Sequence, residues 1–293
     1  MDRNVNEKTD LALTQDDLIE VEANLRRQYE GVFDEPLIAL HIREFIESSL
    51  ADRMAAVIAR ETRPGASLLD VGCGYGAFVL ACRAHGVDAR GYELAPFEVA
   101  IARRRLARRE PRTDPQDVFH QGHAGRLPFA DACFDVVTLF NVLEHVRDDR
   151  PVLDEAYRVL RPGGRMYVVC PNYAAVRQEA HYHVPWPPLL PRRLASLYLR
   201  MLGRNPAFFR EHIHYRTNWG VLGTLRSMRM QLASMDLMRL DHPELIGSGR
   251  ARRLFDLLAR LRLLPLARLL LTLNMHNPFK AAVSVMAVKG GAS

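Results

Sequence analysis

Residues 68–76 read Leu68-Leu69-Asp70-Val71-Gly72-Cys73-Gly74-Tyr75-Gly76, an apolar strand running into a Gly-x-Gly-x-Gly turn at the start of a helix. Glycine there lets the chain bend sharply and lets a ligand approach the main chain with no Cβ in the way. Gly72-x-Gly74-x-x-Ala77 also satisfies the looser dinucleotide fingerprint, in which a pyrophosphate sits on the helix N-terminus. Asp70 separates the two ligand classes, because a carboxylate immediately before the turn opposes a pyrophosphate and attracts a cation. A second acidic residue, Glu93, ends the next strand 23 positions after Asp70. In a doubly wound sheet that is where a carboxylate can accept from both hydroxyls of a ribose.

From Ser67 onward, short apolar runs alternate with helical stretches: SLLDV, the turn and its helix, VDARGYEL, a helix through Arg109, DVFHQG, FDVVTLF, a helix around Leu153 to Leu160, and MYVVC. Such alternation is the rhythm of βαβ units. It predicts an α/β fold: a Rossmann-like, doubly wound, mostly parallel seven-stranded sheet with helices on both faces, completed by LMRLD (237–241) and AAVSVMAVK (281–289). Ahead of the core, Thr14 and Asp17 make a capping-box pattern before Leu18, Val21 and Leu25. A second helix starts near Pro36, with an apolar stripe Ile42, Phe45, Ile46, Leu50, Met54, Val57 and Ile58, and closes at Pro64-Gly65. The expected organisation is a helical cover of the site over residues 1–60 and a ligand-binding core over 61–293. Insertions fall at about 171–216, rich in proline and aromatic residues, and at about 242–276.

Several longer stretches resemble the class I S-adenosylmethionine-dependent methyltransferases, in the small-molecule branch of that family. They are LLDVGCGYGAF, GYEL, LPFADACFDVVTLFNVLEHV (Leu127 to Val146) and EAYRVLRPGGRMYVVCPN (Glu155 to Asn172), in the family's order over roughly residues 60 to 172. The resemblance implies S-adenosylmethionine as cofactor. It implies that Asp70 and the turn Gly72, Cys73, Gly74, Tyr75 and Gly76 hold its methionine part, that Glu93 holds the ribose and that Leu94 packs on adenine. Asn141, leaving the fourth strand, would line the channel to the acceptor. One departure stands out: where the family usually has an aspartate accepting from the adenine amino group, this chain reads Gly122-His123-Ala124. A neutral imidazole nitrogen can still accept, whereas a protonated one cannot, so adenine recognition here is expected to be weaker, to rest on backbone, or to lose strength at mildly acid pH.

Methyl transfer from a sulfonium needs the acceptor atom held in line and, for a hydroxyl, a base to take its proton. Histidine is the natural base near neutrality. His145 lies just after the fourth strand, and the first insertion carries His181-Tyr182-His183 and His212-x-His214. His145, His181 and His183 are the candidate bases. No metal is expected, because the His-x-His spacing lacks the pattern of known zinc sites. Trp186, Tyr198, Phe208, Phe209 and Trp219 either line an acceptor pocket or form the insertion's own core.

At 293 residues, 48% hydrophobic and 25% charged, the composition is that of a globular protein. Four scattered cysteines and a charged N-terminus without a signal-like apolar run point to the cytoplasm. The net charge of +6 is concentrated in two places. Arg103, Arg104, Arg105, Arg108 and Arg109 read as a solvated helix face. Six arginines and one lysine stand against a single aspartate from Arg250 to Lys280, among two leucine stripes. That segment reads as a hairpin packed on the sheet edge, as a homodimer contact, or as a peripheral contact with the inner face of an anionic membrane. The expected activity is O-methylation of a small or amphiphilic metabolite: a saccharide, a lipid-linked compound or a natural-product intermediate. The rival readings are a non-catalytic S-adenosylmethionine-binding partner protein and a NAD-dependent Rossmann enzyme. No nucleic-acid partner is expected, for want of a recognisable binding module.

Overall fold

The computed structural model describes residues 13–46 and 49–291. The charged N-terminal ten residues and the side chains of Phe45 and Ile46 lie outside what is described. The strands among the described residues are β1 Ser67–Val71, β2 Asp88–Glu93, β3 Phe119–Gln121, β4 Phe134–Phe140, β5 Leu160–Pro171, β6 Arg177–Gln178, β7 Pro185–Trp186, β8 Gln231–Ser234 and β9 Ala282–Val288. Seven of them form one sheet in the order β3-β2-β1-β4-β5-β9-β8. The first five pair in parallel, and β9 runs antiparallel to both β5 and β8. The order reverses between β1 and β4, so the crevice at the carboxyl ends of these two strands is where a ligand is expected.

The helices are α1 Gln15–Tyr29, α2 Glu35–Ile46, α3 Ser49–Glu61, α4 Ala77–Ala84, α5 Pro96–Arg109, α6 Pro115–Val118, α7 Arg150–Val159, α8 Arg192–Met201, α9 Ala207–His212, α10 Asn218–Ser227, α11 Met238–Asp241, α12 Gly249–Arg260 and α13 Leu264–Asn274. One face of the sheet packs on α7 and α10 through Leu153, Val221 and Leu225, and the other on α3, α4 and α5 through Ile58, Leu80 and Leu106. A third apolar cluster lies apart from the sheet. In it, Val21, Leu25 and Tyr29 of α1 and Leu37 and Ile42 of α2 meet Tyr182, Trp186, Leu199 and Phe209 of the first insertion. The N-terminal cover and the insertion therefore share one small core.

Two readings of the sequence are corrected. The stripe from Ile42 to Ile58 belongs to two helices with different destinations: Ile42 of α2 joins the cover, while Val57 and Ile58 of α3 join the sheet. LMRLD is not a strand. The sixth strand of the sheet is Gln231–Ser234, and a helical turn follows in which Ser234 caps Asp236 and Met235 and Met238, three apart, are both buried. Short apolar runs do not by themselves distinguish a strand from a helical turn, and here the three-residue spacing decided. The capping box at Thr14 is formed, and Thr217 caps α10.

The arginine run on α5 is only in part a solvated face, with Arg104 and Arg108 still exposed. Arg108 pairs with the buried Asp17 of α1, Arg104 grips Glu20 at 2.5 Å, Arg103 donates to the carbonyl of Phe119 at 2.7 Å, and Arg105, itself buried, donates to the carbonyl of Tyr75 at 2.5 Å. These bonds fasten the helical cover to the core and leave less basic surface for an anionic polymer.

Where β5 gives way to the insertion, Asn172 is fully buried. Its Nδ2 donates to the carbonyls of Pro278 (2.8 Å) and Lys280 (2.6 Å), and its Oδ1 accepts from the amides of Ala174 (3.1 Å) and Asn218 (3.2 Å). Asn218 in turn donates to the carbonyls of Met275 and Asn277. Asn172→Ala removes four hydrogen bonds and strands the amides of two buried residues, Ala174 and Asn218, each worth ~1–3 kcal/mol when left unpaired. With partial relaxation the expected loss is ~3 kcal/mol, a fall in Tm of about 5 °C. Differential scanning calorimetry reads it, and a shift under about 2 °C would contradict the assignment.

Candidate functional site

The turn after β1 brings three carboxylates together at the crevice. Asp70 is buried, and Thr138, its register partner on β4, donates to Asp70 Oδ1 at 2.6 Å. Burial, reinforced by the neighbouring charge of Glu93 against the opposing Thr138 bond, pushes the Asp70 carboxyl up to about 7. Glu98, in the first turn of α5, is likewise pushed up to about 7 by burial and by Glu93. A Cβ placed on Gly74 would stand 3.4 Å from Glu98 Oε2. Glu93 itself accepts the Gly74 amide on Oε2 at 3.1 Å and the amides of Leu94 (2.6 Å) and Ala95 (3.0 Å) on Oε1. That uses three of roughly four lone-pair sites, so in this conformation Glu93 ties the turn to the start of α5 and keeps capacity for about one further bond. Mutual repulsion and desolvation leave this cluster short of positive charge, a deficit that a cationic ligand at the turn would relieve. A sulfonium carrying an ammonium group fits that requirement, whereas a pyrophosphate would add to the repulsion.

The other residues singled out from the sequence divide into two groups. Cys73 and Tyr75 are buried, with Cys73 Sγ against Gly91 and the Tyr75 ring facing Phe97 and joining the cover's core, so only their backbone remains for a ligand. Leu94 is exposed, as an adenine platform must be before a ligand covers it. Asn141, with φ +56, sits in the left-handed region at the end of β4, and its amide is held by the Val169 carbonyl at 2.8 Å. Asparagine tolerates this conformation better than most residues. The next residue, Val142, closes on the turn: a Cβ on Gly72 would lie 2.4 Å from Val142 Cγ2. His123 folds back on its own loop, Nδ1 accepting the Gly125 amide at 3.1 Å. In that neutral tautomer the remaining Nε2 carries the proton and is a donor, so it does not replace the family's aspartate as an acceptor for adenine. Ala124 packs against the core on the β4 side.

The histidines converge where the insertion meets the segment after β4. His145 lies three residues beyond Val142, its ring centroid 5.1 Å from that of His181 in an edge-on arrangement. His145 Nδ1 donates to the His212 carbonyl at 3.0 Å, leaving Nε2 unprotonated. The protein packed around the cleft, with His181 adding repulsion, pushes its pKa down to about 4, although the ring keeps an exposed edge. His181 Nδ1 faces Glu179 Oε1 at 3.2 Å. Glu179 is completely buried, yet its carboxyl is held down at about 2. The bonds from His181, from Tyr173 Oη (2.7 Å) and from the amides of His181 and Tyr182 (2.7 and 2.8 Å) outweigh desolvation. The result is a histidine whose Nδ1–H is oriented by an ionised carboxylate, with Nε2 in position to accept a proton. His183, at φ +50, turns its ring toward His41, 5.6 Å away, and stands apart from the His145–His181 pair. His41 donates from Nε2 to the His181 carbonyl at 2.8 Å, which ties the cover to the base candidate. Among the described residues no group of three or more His, Cys, Asp or Glu side chains is placed to hold a metal ion.

Trp186 and Phe209 are core residues of the cover, Phe208 packs against His181 and His212, and Trp219 is exposed. The sequence reading missed Glu98, Thr138 and Glu179. Glu98 had a usable signal, an acidic residue in the first turn of the helix after Glu93. Thr138 and Glu179 had none, since only pairing across strands and the fold of the insertion make them neighbours of Asp70 and His181.

A family model described as "Methyltransferase domain" matches residues 69–168. The 27-O-demethylrifamycin SV methyltransferase of Amycolatopsis mediterranei is 32% identical over 157 residues, 52% of this chain and 55% of that protein. The demethylmenaquinone methyltransferase of Chlorobaculum parvum is 29% identical over 161 residues, 52% of this chain and 63% of that protein. The chain thus spans between half and two thirds of the length of these curated relatives. Among solved structures, the YcgJ protein from Bacillus subtilis superposes with a TM-score of 0.50 at 19% identity, covering 82% of this chain and 99% of that one, a likeness of fold.

Proposed function

Since this chain belongs, through residues 69–168, to the class I S-adenosylmethionine-dependent methyltransferases, we propose that it binds S-adenosylmethionine at the β1 turn and methylates a hydroxyl of a small or amphiphilic metabolite. The observation that carries the reading is the trio Asp70, Glu93 and Glu98 around the glycine turn, with two of the three carboxyls pushed up to about 7. Asp70 and the turn amides would hold the amino acid part of the cofactor, Glu93 a ribose hydroxyl, and Leu94 the adenine face. When bound, the cofactor supplies a methyl group on a cationic sulfur whose departure as a neutral thioether needs no acid. The chain's own residues do the rest. Asn141 and Val142 border the passage from turn to cleft, the helical cover and insertion exclude water, and His181 Nε2, oriented by Glu179, takes the acceptor's proton. His145, with its pKa near 4, stays neutral beside it, so a proton gained by His181 meets little repulsion. Support for a hydroxyl acceptor comes from this oriented base, and from a relative whose name specifies a 27-O-demethyl substrate.

The test is to incubate the purified full chain with carbon-13-methyl S-adenosylmethionine and a small-molecule extract of its own organism. A methoxy carbon in the product is expected. Cofactor binding with no S-adenosylhomocysteine above the blank from any fraction would favour the non-catalytic reading. With an acceptor in hand, His181→Asn is expected to lower kcat about 100-fold with cofactor affinity unchanged, and Glu179→Gln about tenfold. His183→Ala should stay within about threefold of the parent, and equal losses for His181 and His183 would remove the base assignment.

A further inference from the structure

As read from the sequence, the hairpin lies at the sheet edge, α13 running beside the edge strand β8, yet the leucine stripes of α12 and α13 stay open. Leu254, Leu257 and Leu261 are 52–57% exposed, Leu266, Leu269, Leu270 and Leu273 are 50–60% exposed, and neither helix contains a buried residue. Polar bonds hold the hairpin in place: Arg268 pairs with Asp241, Arg252 donates to the Pro243 carbonyl at 3.1 Å, and Asn218 grips the carbonyls after α13. The apolar side is therefore displayed on a fixed support. Arg250, Arg253, Arg260 and Arg262 make no ion pair among the described residues, and Asp256, paired with Arg252, is the one acidic residue of the hairpin.

We propose that this hairpin docks in the plane of an anionic lipid surface, leucines entering the acyl boundary and arginines meeting the headgroups. An amphipathic helix with cationic flanks and an unpartnered apolar face is the pattern of interfacial binding. Charge chooses between the two occupants that would cover leucine. A second copy of this chain brings the same excess of arginine against itself, whereas an anionic bilayer neutralises it. No helix among the described residues is long and apolar enough to cross a membrane, so the contact is with the surface. The segment after the hairpin leads to the corner of the sheet where β5 ends. Asn172 brackets Phe279 through the carbonyls of Pro278 and Lys280, β9 begins beside the end of β5, and Phe279 and the neighbouring Trp219 are 62% and 47% exposed. Docking presents that corner to lipid. The proposal stands whether or not the crevice performs methyl transfer.

Vesicle flotation of the full chain tests it, with phosphatidylcholine alone and with phosphatidylcholine carrying a third of phosphatidylglycerol. Binding is expected to the anionic vesicles at low salt, at least about tenfold above the neutral ones, and to weaken at high salt. The triple variant Leu257→Gln, Leu269→Gln, Leu273→Gln should bind at least about tenfold more weakly, and Arg253→Gln and Arg260→Gln about fivefold each. These exposed positions should leave melting temperature and cofactor affinity at parental values, which shows the variants folded. Three results would overturn the proposal: no flotation with anionic vesicles at low salt, equal binding to neutral vesicles, or a concentration-dependent dimer dissolved by the leucine variant and indifferent to lipid.

Discussion

Gly76→Ala is expected to weaken S-adenosylhomocysteine binding by about 100-fold or more, equivalent to ~2.7 kcal/mol. Gly76 has φ +77 and is the N-cap of α4. A side chain in the left-handed region costs ~1–2 kcal/mol before any contact is considered. Contacts then add to it, because a Cβ there would stand 2.7 Å from Phe119 Cζ and 2.9 Å from Ala102 Cβ. Both neighbours are buried core atoms that cannot swing aside, so the turn itself must move, and with it the Gly74 amide that Glu93 holds. Gly86 supplies the control. It has φ +81 with nothing within 4 Å of where a methyl would stand, so Gly86→Ala has the backbone cost alone and lies away from the crevice. It should lower stability by ~1–2 kcal/mol and leave affinity unchanged. Calorimetric titration of both variants decides: Gly76→Ala binding within threefold of the parent would mean that the turn is not the cradle.

The second large effect is on pH dependence. Asp70 and Glu98 titrate near 7 in the ligand-free fold, against 3.8 and 4.5 for unperturbed groups. Because these folded values are raised, the native chain holds protons that the unfolded chain has released. Their contribution to the ligand-free fold is therefore full only below the unfolded values near 4 and is lost as pH rises from there through about 7. A bound cation reverses the preference, since it favours the ionised carboxylates. Cofactor affinity should accordingly fall about tenfold from pH 8 to pH 6 if one group is coupled and up to about 100-fold if both are, with proton uptake by the free protein opposing binding. Asp70→Asn with Glu98→Gln should bind more weakly at pH 8 and show a nearly flat profile. His123→Asn should keep the slope, because His123 uses Nδ1 within its own loop. A slope that vanishes with His123 and survives loss of the two carboxylates would reverse the assignment.

How far these features could be read from the chain depended on whether their cause was local. The β1 turn, the place of Glu93 at the end of β2, the run of strands through β5 and the cap at Thr14 are set by residues a few positions apart, and the structure has them as read. LMRLD failed because a five-residue apolar run carries no period long enough to separate strand from turn. The arginine run on α5 was only partly read, because the partners of Arg104 and Arg108, Glu20 and Asp17, lie some 84 or more residues away. Thr138 and Glu179 likewise acquire their roles through tertiary pairing. For the C-terminal hairpin, the sequence showed stripes of leucine but could not show that the described residues leave them at least half exposed.

Whether the carboxylate-flanked turn holds S-adenosylmethionine is decided by isothermal calorimetry of the full chain at pH 8. One site per chain is expected for S-adenosylhomocysteine, with Kd of the order of micromolar and no heat with NAD. No heat with S-adenosylmethionine or S-adenosylhomocysteine at ~100 µM protein, or binding of NAD in their place, would contradict it.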